Sequence, residues 1–253
     1  MRQSNTYILL YSAALTVICA VALAFASVSL KDKQEANIAR EKKENILSTV
    51  MTLSETDDVE GIYNSRIRSY VIDSNGNLRE GIPAENVIIA DEYKKSPSDR
   101  LLPVYEFRSE SDPNTVEYTV LPVYGFGLWN NIWGYMALKS DFNTVQGVKF
   151  QHAGETPGLG ARIESSEIQD RYKDKSIFEA GKIVAISMQK GEGMDYAGDN
   201  HKVDGMSGAT LTAKGVNNML KDYLTCYEKY LIKSQAIPAP AADTVQTVPT
   251  STN

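Results

Sequence analysis

The chain has 253 residues, of which 42% are hydrophobic and 23% charged, enough apolar material for one substantial folded domain with attachments. A formal charge of -6 and a pI near 5.1 argue against a nucleic-acid binder, which needs a basic face to neutralise phosphates. Two cysteines and two histidines leave little room for metal chemistry. Cys19 and Cys226 have neither metal-ligand nor CxxC spacing, so no metal site is expected.

After a short tip, residues 1–6, the stretch from Tyr7 to Leu30 carries no charged side chain and is long enough to cross a bilayer as a helix. Ala24-Phe25-Ala26 has the small-x-small form of a cleavage site. The apolar run exceeds a usual signal-peptide core, so a retained anchor is expected. Cys19 follows Thr16-Val17-Ile18, a poor match to a lipoprotein signal. Arg2 is the only basic side chain before the span, while Lys31, Lys33, Arg40, Lys42 and Lys43 follow it. Loop charge alone favours a cytoplasmic body, but long domains translocate largely regardless of such charges. The expectation is a single-pass protein with an exported domain.

Residues 31–53 are rich in helix formers and free of Gly and Pro, which predicts a juxtamembrane helix ended by SETDDVEG. From Ser65 the texture turns to strand. RIRSYVID, LLPVYEF and VEYTVLPVYGFG are rich in β-branched and aromatic residues, and Asn75-Gly76 is a hairpin signal. IFEAGKIVAISMQ, residues 177–189, reads as strand around a Gly turn. Val216, Met219, Leu220, Tyr223, Leu224, Tyr227 and Leu231 follow the 3.6-residue period, so residues 211–233 form a helix packed on the sheet. Cys226 lies on that helix, where a packed, inert thiol is the ordinary outcome. The tail, 234–253, is Pro-, Ala- and Thr-rich and expected to be disordered. The fold class is α+β: an anchor, a juxtamembrane helix, a mixed domain over 54–233, and the tail.

The stretch DGMSGATLTAKGV, Asp204 to Val216, places small residues at the start of that last helix. Unpaired N–H groups and the helix dipole make such a start a phosphate site. Gly205, Gly208 and Ala209 permit close approach, and Thr210 offers a hydroxyl beside it. Read locally, Ser207 or Thr210 could equally be an ordinary N-cap. Gly205-Met206-Ser207-Gly208-Ala209 nearly forms a hydrolase GxSxG elbow, with His201 as a conceivable base, but Ala209 replaces the last glycine. A Walker-type loop is absent, because no lysine follows the glycines.

A second segment, HAGETPGLGARI from His152 to Ile163, sets Thr156, Gly158 and Gly160 around a proline turn, with Glu155 preceding. ETPGLGA, then D-G-x-SGATLT, together with YGFGLWNNIWGYMALKSDFNTVQGVKF (124–150), resemble the covalent-FMN-binding domain family of membrane redox complexes. Within it, the single anchor and the length resemble the C-type subunits of Na+-translocating NADH:quinone reductases. The resemblance implies an FMN-binding region over about 124–230 and an electron-transfer function, with no catalytic side chain of the protein's own. It implies FMN joined through its phosphate to Thr210 by a flavin transferase that uses FAD. Ser207, Gly208 and Ala209 would admit the phosphate, while Asp204 would serve transferase recognition or loop structure. Glu155, Thr156, Gly158, Leu159 and Gly160 would form the loop lining the flavin, and Trp129 would pack near it. Thr212 does not match the acceptor position and would help begin the helix; His152 receives no role. Partners would be the other membrane subunits, in a bacterial inner membrane with the domain on the periplasmic side. The G-type subunit of the related ferredoxin:NAD+ oxidoreductase shares the motif, and a non-redox exported module binding a phosphate ligand is the further alternative.

Overall fold

The computed structural model describes residues 4–236 of the chain, which separates into two compact units, Met1–Glu44 and Asn45–Asn253. The first unit is helical from Asn5 onward. Helix α1 (Asn5–Ser48) is the one described helix long and apolar enough to cross a membrane, with a mean hydropathy of 2.5 in its apolar window. Leu9, Phe25 and Val28 stand exposed on it. The apolar window of this helix is consistent with a membrane-anchored chain. The expected juxtamembrane helix is not a separate element: residues 31–48 hold no helix breaker, so α1 runs through them and ends at Ser48, short of 53. Thr49 Oγ1 then turns back to donate to the Ile46 carbonyl at 2.7 Å.

The second unit opens with α2 (Val59–Arg66), whose N-cap Asp58 accepts from the Gly61 amide at 3.0 Å. Five strands follow: β1 (Ile67–Ile72), β2 (Leu102–Arg108), β3 (Val116–Phe126), β4 (Asn131–Lys139) and β5 (Val145–His152). They form one antiparallel sheet in chain order. Short turns join β2 through β5, the connection that antiparallel neighbours permit. A short helix, α3 (Ile89–Tyr93), lies in the longer β1–β2 connection. Beyond the sheet come α4 (Ser166–Gln169), the two-residue strands β6 (Phe178–Glu179), β7 (Lys182–Ile183), β8 (Ser187–Met188) and β9 (Lys202–Val203), and α5 (Thr210–Gln235).

One of the strand expectations needs correction. The Asn75-Gly76 turn forms, with Gly76 at φ +72, but the chain returns for a single bridge, Ile72 to Leu78. Gly81 and Pro83 follow at once and end any alternation, so β1 takes β2 as its partner. Residues 177–189 do form strand around a Gly turn: Phe178–Glu179 pairs antiparallel with Lys182–Ile183 across Gly181 at φ +75, though each strand is only two residues long. Helix α5 continues through Ser234 and Gln235, past the expected end at 233. The rest of the expected disordered tail, 237–253, lies outside the described residues.

Side chains alternate across the sheet with the two-residue period of a strand. Leu121, Val123, Met136 and Leu138 join the core beneath α5. Tyr105, Phe107, Val120 and Ala137 face the other core, with Val59 and Tyr63 of α2 and Ile46 and Leu47 at the end of α1. All seven periodic apolar positions predicted for α5 are buried. Close approach of α5 to the end of β3 depends on a missing side chain: a Cβ at Gly215 would stand 2.6 Å from the Phe126 carbonyl oxygen. This contact sets the first turns of α5 against the β3–β4 connection.

Gly215→Ala should therefore destabilise the domain by about 1–3 kcal/mol in thermal or chemical unfolding. Helix propensity alone predicts a gain of about 1 kcal/mol. A stabilised variant would show that the helix and strand end are not held at this distance.

Candidate functional site

Three segments converge where α5 begins: the β3–β4 turn (127–130), the loop after β5 (153–160), and the 204–209 loop. Glu155 joins the first two to the helix. Its Oε1 accepts from the Leu128 and Trp129 amides at 2.9 and 3.0 Å, and its Oε2 accepts from Thr212 Oγ1 at 2.6 Å. Both Glu155 and Thr212 are buried. Burial pushes the Glu155 carboxyl up, but the Thr212 hydroxyl and the turn amides offset this and hold it net below its ordinary value. The group is thus an ionised clamp within the fold. Gly160 makes the clamp possible, because an added Cβ there would overlap both the Thr212 hydroxyl and the Glu155 carboxylate.

Two further contacts close the arrangement. Trp129 Nε1 donates to Thr156 Oγ1 at 3.2 Å, although the Trp129 ring is 65% exposed. Gly208, at φ +73, takes a left-handed conformation that favours glycine, and a Cβ there would lie 2.9 Å from Leu159 Cδ2. Leu159, on the loop after β5, and Leu211, next to Thr210 in the chain, are both exposed. Gly158, at φ +75, makes the turn that presents Leu159.

The helix start itself is open. The N-cap is Ala209, which is buried and supplies no side-chain cap, so Thr210 is the first helical residue. The Thr210 side chain is exposed and makes no hydrogen bond among the described residues. An uncapped helix of this length leaves its first amides without intrahelical partners and places the positive end of the dipole at Thr210. The expectation that Ser207 or Thr210 serves as an ordinary N-cap is therefore not met.

The 204–209 loop is held from beneath by charges that sequence reasoning missed. The Ser207 amide donates to Glu192 Oε2 at 2.9 Å. Arg162 Nη2 meets Glu192 Oε1 at 2.6 Å, and Arg171 Nη2 meets the same oxygen at 3.2 Å. The Arg162 bond first, then the Ser207 amide, push the Glu192 carboxyl down to about 2. Arg171 Nη1 also donates to the Asp204 and Gly205 carbonyls, at 3.2 and 2.5 Å. Asp204 spends its carboxylate on the Gly193 and Met194 amides at 2.7 and 3.1 Å, a loop-structuring role. Only the position of Arg162, directly after GLGA, hinted at this network.

The hydrolase alternative fails on geometry. His201 Nδ1 donates to the Ser176 carbonyl at 2.8 Å, and no histidine bonds to Ser207 among the described residues. No group of three or more potential metal ligands occurs among the described residues.

The FMN-binding domain family matches residues 127–225, a span that contains every candidate site residue from Trp129 to Thr210. The C subunit of the Na(+)-translocating NADH-quinone reductase of Haemophilus ducreyi is 34% identical over 239 residues, covering 88% of this chain and 91% of its own length. The chain belongs to this C-subunit family. The Pseudomonas aeruginosa C subunit is 30% identical over 249 residues, covering 88% and 92% of the two chains. The crystal structure of the C subunit from Parabacteroides distasonis superposes with a TM-score of 0.69 at 32% identity, over 80% of this chain and 96% of that one. The family's members are subunits of an oxidoreductase complex, and their fold matches the one described above.

A double-mutant cycle tests the clamp. Thr212→Val strands one oxygen of a buried carboxylate and should cost about 1–3 kcal/mol of stability. With Glu155→Gln the two effects should be non-additive by at least about 0.5 kcal/mol. Additive effects would mean that the hydroxyl and carboxylate do not cooperate.

Proposed function

We propose that this chain is the FMN-carrying electron-transfer C subunit of a Na+-translocating NADH:quinone reductase, with FMN joined through its phosphate to Thr210 Oγ1. The observation that carries the reading is an exposed, unpaired threonine hydroxyl at the first position of an uncapped helix. The residues fit the group. Gly208 and Ala209 keep side chains away from the helix start, and the unpartnered amides of the first turn favour the phosphodiester's negative charge. The exposed faces of Trp129, Leu159 and Leu211 give a flat aromatic ring apolar surface to cover. When bound, the isoalloxazine supplies the redox chemistry. Glu155, through Thr212 and the Trp129 amide, holds the attachment point and the aromatic wall in fixed relation. Arg162 and Arg171 hold Glu192 in place beneath the loop, and the same two guanidiniums also pair with Glu167 and Asp204.

Attachment requires a flavin transferase with FAD as donor, and turnover requires the other membrane subunits, since the sequence carries no dinucleotide-binding glycine fingerprint. On this reading α1 is the anchor of a bacterial inner-membrane subunit whose domain faces the periplasm, in keeping with its long apolar window.

Thr210→Ala, co-expressed with a flavin transferase, should lose all in-gel flavin fluorescence after denaturation. Its stability should stay within about 1 kcal/mol of the parent, because Thr210 caps nothing. Thr212→Ala should keep the fluorescence, since its hydroxyl is buried on Glu155. Fluorescence persisting in Thr210→Ala and vanishing in Thr212→Ala would move the attachment. If fluorescence is absent from the parent chain as well, a non-covalent phosphate-ligand module becomes the better reading.

The orientation has its own test. A cysteine at the exposed Lys182, in a Cys19→Ser background, should react with a membrane-impermeant thiol reagent in spheroplasts. Labelling that appears only after the membrane is permeabilised would put the domain in the cytoplasm.

A further inference from the structure

Further along α5, Lys221, Cys226 and Lys229 form one wall of a cleft of about 630 Å³, with Ser74, Asn75 and Arg100 among the residues opposite. At the helix rise of 1.5 Å per residue, Lys221 lies about 17 Å along the axis from Thr210, outside the site described above. Arg100 is 6% exposed, yet no carboxylate forms an ion pair with it among the described residues. Its Nε and Nη2 donate to the Lys95 and Tyr93 carbonyls at 3.4 and 3.1 Å, and its Nη1 faces Cys226 Sγ at 3.7 Å. The guanidinium lies 5.2 and 5.4 Å from the Tyr93 and Tyr223 ring centres. Glu92, the buried carboxylate nearby in the chain, is already bound by Lys95 Nζ and the Leu101 amide. Removing a cation from water without a counter-ion is costly, and neutral acceptors replace only part of the lost hydration.

Two more cations line the same cleft. Lys221 has no hydrogen bond or ion pair from its ammonium among the described residues, and Lys229 Nζ donates only to Asn75 Oδ1, at 2.7 Å. Asp222 is the single acidic residue in the lining. Three cations against one carboxylate leave a local positive surplus in a chain of net charge -6. The surplus matches a dianion, and the Arg100 Nη1, which has no oxygen acceptor among the described residues, suits tetrahedral oxygens together with two point-charge lysines. The volume falls within the roughly 300–1,000 Å³ of small-molecule sites, so it admits an organic group beyond the anion itself.

We propose that this cleft binds a small phosphate monoester, with Arg100 as the buried anchor and Lys221 and Lys229 closing over its outer oxygens. The cleft is then a second phosphate-recognising site, separate from the flavin attachment.

Equilibrium dialysis of radiolabelled inorganic phosphate against the full, flavin-carrying chain in detergent tests this, with ionic strength held constant by chloride. Arg100 packs in the core and its replacement risks the fold, so the informative variant is Lys221→Gln/Lys229→Gln. Lys182→Gln, outside the cleft, is the control. The parent and the control should show saturable binding, and the double variant should weaken it by about fivefold or more. No saturable binding in the parent, or a smaller loss in the double variant, would overturn the proposal. The Thr210 assignment is separable, because it is scored by flavin fluorescence, which neither lysine should change.

Discussion

The buried carboxylate of Glu155 is the constraint on which the site depends. One oxygen gathers the Leu128 and Trp129 amides and the other takes the Thr212 hydroxyl, so a strand turn, a glycine loop and a helix start are fixed by one group. A buried ionised carboxylate is tolerated only when its acceptors are filled, and hydrogen bonds to charged groups contribute about 1.5–3 kcal/mol each. The same demand explains the nearby glycine. A side chain at Gly160 would displace the hydroxyl or the carboxylate, and the helix would lose its tether.

What the tether delivers is a helix start with no cap of its own. Most helices satisfy their first amides with a Ser, Thr, Asp or Asn side chain. Here the cap position is Ala209, and the nearest hydroxyls are assigned elsewhere: Thr212 inward to Glu155, Thr210 outward to solvent. The positive end of the helix is left without a side-chain cap. Beneath it, Glu192 holds the Ser207 amide and is itself paired with Arg162 and Arg171. The loop is thereby stiffened by a shared network of ion pairs.

Much of this was legible in local pattern. The 3.6-residue spacing from Val216 to Leu231 placed the buried face of α5, and β-branched alternation placed the long strands, because each signal arises from one element's own burial. The two loops of the site were visible through their glycines and threonines. The pairs that make them work were not. Glu155 and Thr212 are 57 residues apart and Ser207 and Glu192 are 15 apart, and neither pair has a local signature. Thr212 read as a mere helix starter because its partner exists only in the folded chain. The helix expected to reach 53 stops at Ser48, and the strands of 177–189 stay two residues long, for another reason. Propensity there was fair, but tertiary packing decided where each element stopped.

The central claim concerns one bond, between Thr210 Oγ1 and the phosphate of FMN. Tryptic cleavage after Lys202 and Lys214 isolates the segment from Val203 through Lys214, which holds Ser207, Thr210 and Thr212 together. Fragmentation mass spectrometry of this peptide, from chain purified out of native membranes, reads the bond directly. The peptide should carry the mass of FMN less one water, with the addition retained on fragments containing Thr210 and absent from fragments that stop at Ala209. An unmodified peptide, or an addition carried by Ser207 or Thr212, would contradict the assignment.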